Sequence, residues 1–272
     1  MAEKLFPSSW GEENGERICE PVADMEATCR VFRRNGSSTE NVKLNLPVEA
    51  SPLPEGLRIL VVDRQDPGLN QVQWRMGHQG SITFQSPDWF DFRLATQLVG
   101  GDFTARLNQT LRVKEGLTYG ARLVVRHGKN VPGKVAVSTY VKPKDLRRAI
   151  ELALGELEGA MEQPLPAEEV KGFQSKIIEG LPFRFETASD TLAEYMSLIA
   201  GDRDVAFLRG YPAGIAGVTP ASAQAALKKG LQTQSLLLVV VANADIVDEL
   251  QPLVDKRGGS IDVIPVDNLF LE

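Results

Sequence analysis

Apolar positions change period along this chain, and the changes mark its elements. Residues 58–63 (RILVVD) form a compact apolar run, and residues 70–77 (NQVQWRMG) set Val72, Trp74 and Met76 on one face against Gln71, Gln73 and Arg75 on the other. A period of two belongs to a strand, so two strands are predicted, the second half-buried. At Ser86-Pro87-Asp88 the pattern lengthens to a helical one. The serine hydroxyl suits an N-cap, the proline a first helical position, and Phe90, Leu94 and Leu98 fall on one stripe. Gly100-Gly101 is expected to end this helix in the left-handed conformation. Asp102 then caps a second helix, with Phe103, Leu107 and Leu111 inward, that stops near Gly116.

Residues 121–126 and 134–141 read as a hairpin, with Val135, Val137, Thr139 and Val141 alternating and Gly128, Asn130, Pro132 and Gly133 in the turn. Pro143 opens a long amphipathic helix in which Leu146, Ile150, Ala153, Leu154, Leu157 and Met161 recur at helical spacing. Pro164 and Pro166 break it, and Glu168-Glu169 favour the positive end of the next helix, which buries Val170, Phe173 and Ile177. Pro182 interrupts the path before a helical stretch with Leu192, Tyr195, Met196 and Ile199. A short helical piece at 205–209 and a capped one from Thr219-Pro220 to Leu231 follow. The chain closes with a fully buried strand at 235–241, a short helix around 245–256 and a last extended piece at 260–264. Regular strand–helix alternation is missing, so the expected class is α+β, a largely antiparallel sheet with helices packed on one face. Residues 1–54 are polar and irregular and read as a lead-in or linker, leaving 55–272 as the domain.

Composition narrows the function. The 272 residues are 43% hydrophobic, enough for a globular core, with 30 Lys plus Arg against 36 Asp plus Glu and a net charge of −6. Duplex-binding proteins draw most of their affinity from phosphate neutralisation, so nucleic acid is not an expected partner. The longest apolar run, residues 236–242, falls far short of the roughly 20 residues needed for a membrane-spanning helix, and no signal peptide is visible. The compartment stays open. Cys19 and Cys29 fit no zinc-ligand spacing and could be free or bridged.

Two histidines, His78 and His127, stand forty-nine positions apart (127 − 78). A self-contained zinc protease needs two or three histidines in a compact motif, so no metal-ligating and no catalytic residue is assigned to this chain. Either histidine could act as a lone base or be a hydrogen-bonded structural residue. No Gly-x-Ser-x-Gly elbow, Walker loop or dinucleotide fingerprint occurs. Residues 142–148 (KPKDLRR) form a small basic cluster that reads as a solvated helix start. Arg112 and Tyr119, seven apart and flanking Gly116, lie between a predicted helix and a predicted strand. Both are hydrogen-bond donors and could hold a peptide carbonyl together. Alternatively, Arg112 pairs with Glu115 and Tyr119 packs in the core.

The segment GGDFTARLNQTLRVKEGLTYG, residues 100–120, resembles the second-half domain of the pitrilysin/insulinase-type zinc metallopeptidases, which include mitochondrial processing peptidase. The family pattern is Gly-Gly, an aromatic, Ser/Thr, a small residue, Arg-Leu, then Leu-Arg and Gly-Leu-x-Tyr, and the likeness runs from about Gly56 to about Pro265. It implies one half of a clamshell of two homologous α+β halves. One half carries zinc, and the other lends an Arg and a Tyr, here Arg112 and Tyr119, to bind the peptide substrate. With no zinc motif of its own, the chain resembles the non-catalytic half. The resemblance implies a heterodimeric partner, a homologous zinc-bearing half, with zinc in that half and none bound here. The long glycine-rich loop of the substrate-recognising subunit of mitochondrial processing peptidase is absent, only Gly100-Gly101 standing there. The alternative is a non-catalytic scaffold or protein-interaction subunit with no role in proteolysis, as in related respiratory-complex core subunits.

Overall fold

The computed structural model describes residues 53–127 and 133–267, together with four two-residue strands, as backbone only, between residues 12 and 29. The chain divides into a unit of residues 1–47 and a unit of residues 48–272. In the first, Glu12–Glu13 pairs antiparallel with Glu16–Arg17, and Cys19–Glu20 with Thr28–Cys29, a register that sets Cys19 opposite Cys29. The rest of the expected lead-in, the state of the two thiols and the turn at 128–132 lie outside the described residues.

The second unit is an α+β domain built on a six-stranded mixed sheet. Its strands are β1 (Gly56–Asp63), β2 (Val72–Gly80), β3 (Arg122–Arg126), β4 (Gly133–Val141), β5 (Ser235–Ala242) and β6 (Gly259–Pro265), in the order β6-β1-β5-β2-β4-β3. β2 runs antiparallel to β4 and β5, and β3 antiparallel to β4. The β1–β5 and β1–β6 pairs are parallel. Helices separate those strands in sequence, and a crossover connection returns the chain in the same direction.

The helices are α1 (Trp89–Gly100), a single turn α2 (Arg106–Asn108), α3 (Leu146–Glu162), α4 (Ala167–Glu179), α5 (Ala188–Ala200), α6 (Val205–Ala216), α7 (Pro220–Gly230) and α8 (Val247–Arg257). Alternation along β2 shows how the core forms. Val72, Trp74, Met76 and His78 are buried under the helices, whereas Gln73, Arg75 and Gln79 are exposed. β5 obeys the same rule. Leu236, Leu238, Val240 and Ala242 are buried, but Leu237 is 37% exposed, so the strand expected to be fully buried is covered on one face only. α1 is the central helix of the covering layer and buries Trp89, Phe92, Leu94, Ala95, Leu98 and Val99.

Several local expectations are corrected. Asp88, not Ser86, occupies the N-cap position of α1; the Ser86 hydroxyl instead accepts the Thr83 amide at 3.0 Å. Gly101 ends α1 at φ −80°, in the right-handed region. Close approach, not handedness, calls for glycine at position 100: a Cβ there would stand 2.6 Å from Leu107 Cδ1 and 2.7 Å from the Leu123 amide nitrogen. α6 continues past the expected stop at 209 and through Pro212, because Tyr211 and Ile215 are buried against the core and tertiary packing outweighs the lost backbone bond. On α5 the stripe Leu192, Tyr195, Met196 and Ile199 faces outward, exposed by 42 to 66%. No helix among the described residues is long and apolar enough to cross a membrane.

Candidate functional site

Arg112 and Tyr119 are set by a helical turn of unusual pitch. After α2 the chain widens into a π-helical segment, Gln109–Lys114. Single π turns recur at functional sites because the extra residue per turn re-aims side chains. Leu107 and Leu111 anchor this stretch in the core. Arg106 holds Glu169 with two bonds, Nε at 2.9 Å and Nη2 at 2.5 Å, and Thr110 donates to Glu156 at 2.5 Å. Asn108 donates to the Asp102 carbonyl at 2.7 Å and accepts the Ala121 amide at 2.9 Å, tying the start of the segment to the start of β3.

Gly116, at φ +64° with open space around its Cα, makes the reversal out of the π segment, a conformation that favours glycine. The Leu117 amide then donates to the Leu111 carbonyl at 2.8 Å. Thr139 donates to the Thr118 hydroxyl at 3.0 Å and to the Gly120 carbonyl at 2.8 Å, so the residues on either side of Tyr119 are pinned to β4. Tyr119 itself is 75% exposed. The core-packed alternative for this residue is therefore excluded.

Arg112 reaches the same place. Its Nη1 donates to the Tyr119 carbonyl at 2.7 Å, and its guanidinium carbon lies 4.3 Å from the centre of the Phe103 ring. Phe103, expected to face inward, is 54% exposed and serves as the platform on which this arginine stacks. Glu115, the alternative partner of Arg112, pairs with Arg148 at 3.2 Å instead. Tyr119 borders a cavity of about 590 Å³ on the sheet face that no helix among the described residues covers, with Arg75, Arg122, Ser138, Tyr140 and Val239 in its wall. The structure thus sets the Arg112 guanidinium against the Tyr119 backbone carbonyl, and places Tyr119, but not Arg112, in the cavity wall. The exposed phenol and the remaining N–H groups of the guanidinium are donors, the kind of group that a peptide carbonyl or carboxylate accepts from.

The histidines serve the fold. His78 Nε2 accepts the Gln232 amide at 3.1 Å, which leaves the proton on Nδ1 to be donated to the Gln79 carbonyl at 2.7 Å. Burial pushes its pKa below the ordinary value, opposed by the Gln79 bond. His127 Nδ1 bonds the Ile82 carbonyl at 2.8 Å, and its ring sits among Phe84, Trp89 and Phe92. Burial lowers its pKa too; the Ile82 bond works against this, and the charges of Arg93 and Arg203 add to it. Neither ring faces the cavity, so a lone-base role finds no support in their placement. With both rings engaged in this way, and no group of three His, Cys, Asp or Glu placed to hold a metal among the described residues, the donor set does not fit zinc.

Arg203 escaped the sequence reading. Its guanidinium lies 4.1 Å from the Trp89 ring centre and 3.8 Å from that of Phe207, donates to the Phe84 carbonyl, and has its pKa pushed down to about 10 by burial. It is a structural cation caged by aromatic rings from three parts of the chain. No local signal could have found it.

The model of the peptidase M16 inactive domain matches residues 4–176, a stretch that begins inside the expected lead-in. No curated protein matches the chain. Among solved structures, a peptidase M16 inactive domain from Pseudomonas fluorescens superposes with a TM-score of 0.63 at 16% identity, over 72% of this chain and 45% of that one. A protease from Helicobacter pylori gives 0.58 at 15% identity, over 70% and 45%. The periplasmic protease PqqL from Escherichia coli gives 0.57 at 13% identity, over 78% and 22%. The chain spans less than half the length of each of these structures, and the likeness is one of fold. With well over half of its residues matched by the family model, this chain belongs to the peptidase M16 inactive-domain family of metallopeptidases.

Proposed function

We propose that this chain is the non-catalytic half of a zinc metallopeptidase, pairing with a homologous zinc-bearing half and helping to bind an extended peptide through Arg112 and Tyr119. One observation carries the reading: the Tyr119 phenol stands exposed at the cavity rim while the Arg112 guanidinium is fixed to the Tyr119 carbonyl and stacked on Phe103. A side chain retained only for packing would be buried; this tyrosine is held out by anchors on both sides. The role is positional. A guanidinium held in place beforehand orients a substrate carbonyl at a lower entropic cost than one ordered at the moment of binding. All metal chemistry falls to the partner half.

The test is reconstitution with a zinc-bearing half and measurement of peptide cleavage. Arg112→Ala and Tyr119→Phe are each expected to lower kcat/KM by roughly 10- to 100-fold, the loss of one charged or oriented hydrogen bond at the substrate. Unchanged cleavage by both variants overturns the assisting role. The alternative, a scaffold acting through protein contacts alone, is favoured by the exposed apolar stripe of α5 and would survive that result.

A further inference from the structure

The open face holds a second constellation that the arginine–tyrosine pair does not use. In the antiparallel register Ser138 of β4 lies opposite Arg75 of β2 on one side and opposite Arg122 of β3 on the other. Strands about 4.8 Å apart put the two arginine backbones roughly 10 Å from one another, with the small serine between them. All three residues line the same cavity. Two long side chains flanking a short one leave room over the serine, where both forks and the hydroxyl can converge.

The charged side chains in the cavity wall are all of one sign. Arg106, Arg148, Arg184 and Arg257 each pair with a glutamate. Arg75 and Arg122 have no hydrogen-bond or ion-pair partner among the described residues, and no carboxylate lines the cavity. In a chain of net charge −6, this seat is cationic and free of acid among the described residues. Two guanidinium groups facing one gap repel each other until an anion enters, and a carboxylate matches their planar forks.

We propose that Arg75, Ser138 and Arg122 form a subsite for a side-chain carboxylate, so that the open face selects an extended peptide carrying Asp or Glu. The proposal rests on reading this face as the peptide-binding one. It adds a preference for acidic side chains, supplied by residues other than Arg112 and Tyr119.

The full 272-residue chain can be titrated, by fluorescence anisotropy, against labelled peptides of alternating Glu and Thr, acetylated and amidated at their ends, and against the same peptides with Gln for Glu. The Glu peptide is expected to bind roughly ten-fold more tightly or better, with the gap narrowing as salt is added. Arg75→Gln and Arg122→Gln should each remove most of that gap and leave the affinity for the Gln peptide unchanged. Arg126→Gln, an exposed arginine outside the cavity wall, should keep it. Equal binding of the Glu and Gln peptides overturns the subsite alone, as does an equal loss in the Arg126 variant. A Gln peptide with a free C-terminus that matches the Glu peptide overturns the side-chain assignment. Failure of both peptides to bind overturns the peptide-face reading and the subsite together.

Discussion

The two faces of the sheet differ in what their side chains touch. On β2, Trp74 is 1% exposed beneath the helices, while its neighbour Arg75 points to the open side. On the covered face side chains touch protein on every side, and removing one leaves a cavity. On the open face Gln73, Arg75, Arg122, Ser138 and Tyr140 meet solvent across a shallow concavity and are constrained by little beyond the backbone register. The difference teaches that a change on the open face can leave the packed core untouched, one residue apart, so on the proposed reading stability and binding can be altered independently.

The largest effect expected from breaking the covered face is at Trp74. Trp74→Ala should lower the unfolding free energy by about 3–5 kcal/mol, measured by urea titration, through lost transfer energy and an unfilled cavity. A loss below about 1 kcal/mol would mean that this face is far looser than its burial implies. Next is Gly100→Ala, which forces a methyl against Leu107 and the β3 backbone; a cost of roughly 1–3 kcal/mol is expected from overpacking.

The histidines supply a pH test of the covered face. Burial holds both native-state pKa values below the ordinary 6.5, so the unfolded chain binds more protons as the medium is acidified. Their contribution to stability is complete above about pH 6.5 and is lost as the pH falls from there toward the native values. The urea midpoint should therefore drop between pH 7.5 and 5.5, and the drop should shrink when His78 and His127 are both replaced by Gln. An unaltered slope in that variant would assign the acid sensitivity to carboxylates instead.

The smallest effects sharpen the contrast from the other side. Arg75→Gln and Tyr119→Phe should each shift stability by less than about 0.5 kcal/mol in the same titration, as exposed positions do. A larger loss at either would show that the open face also holds the fold together.

Much of this architecture was legible in the residue pattern. Period-two alternation in β2 and β4 and the helical spacing in α3 follow from burial on one side, which leaves a local trace. Thr219-Pro220 announced α7, and the structure adds a reciprocal bond in which Ser222 answers the Thr219 cap. Phe103 was misread because a residue in a turn obeys no period; its position is set by the arginine that stacks on it from the following π segment. The stripe on α5 shows the converse limit: apolar spacing marks an amphipathic helix without saying whether this chain supplies its cover.

Left to itself, the chain's order of residues determined where most strands and helices form, the lack of a compact zinc motif, and the neighbourhood of Arg112 and Tyr119, because each of these depends on near neighbours. Tertiary structure alone decided that β1 runs parallel to β5 and β6 and that His78 is neutralised by an amide 154 positions away. It alone decided that Arg75 and Arg122 flank one serine from separate strands. The reason is the same in each case: these contacts join parts of the chain brought together by burial of a shared core, and burial is a property of the whole fold rather than of any local stretch.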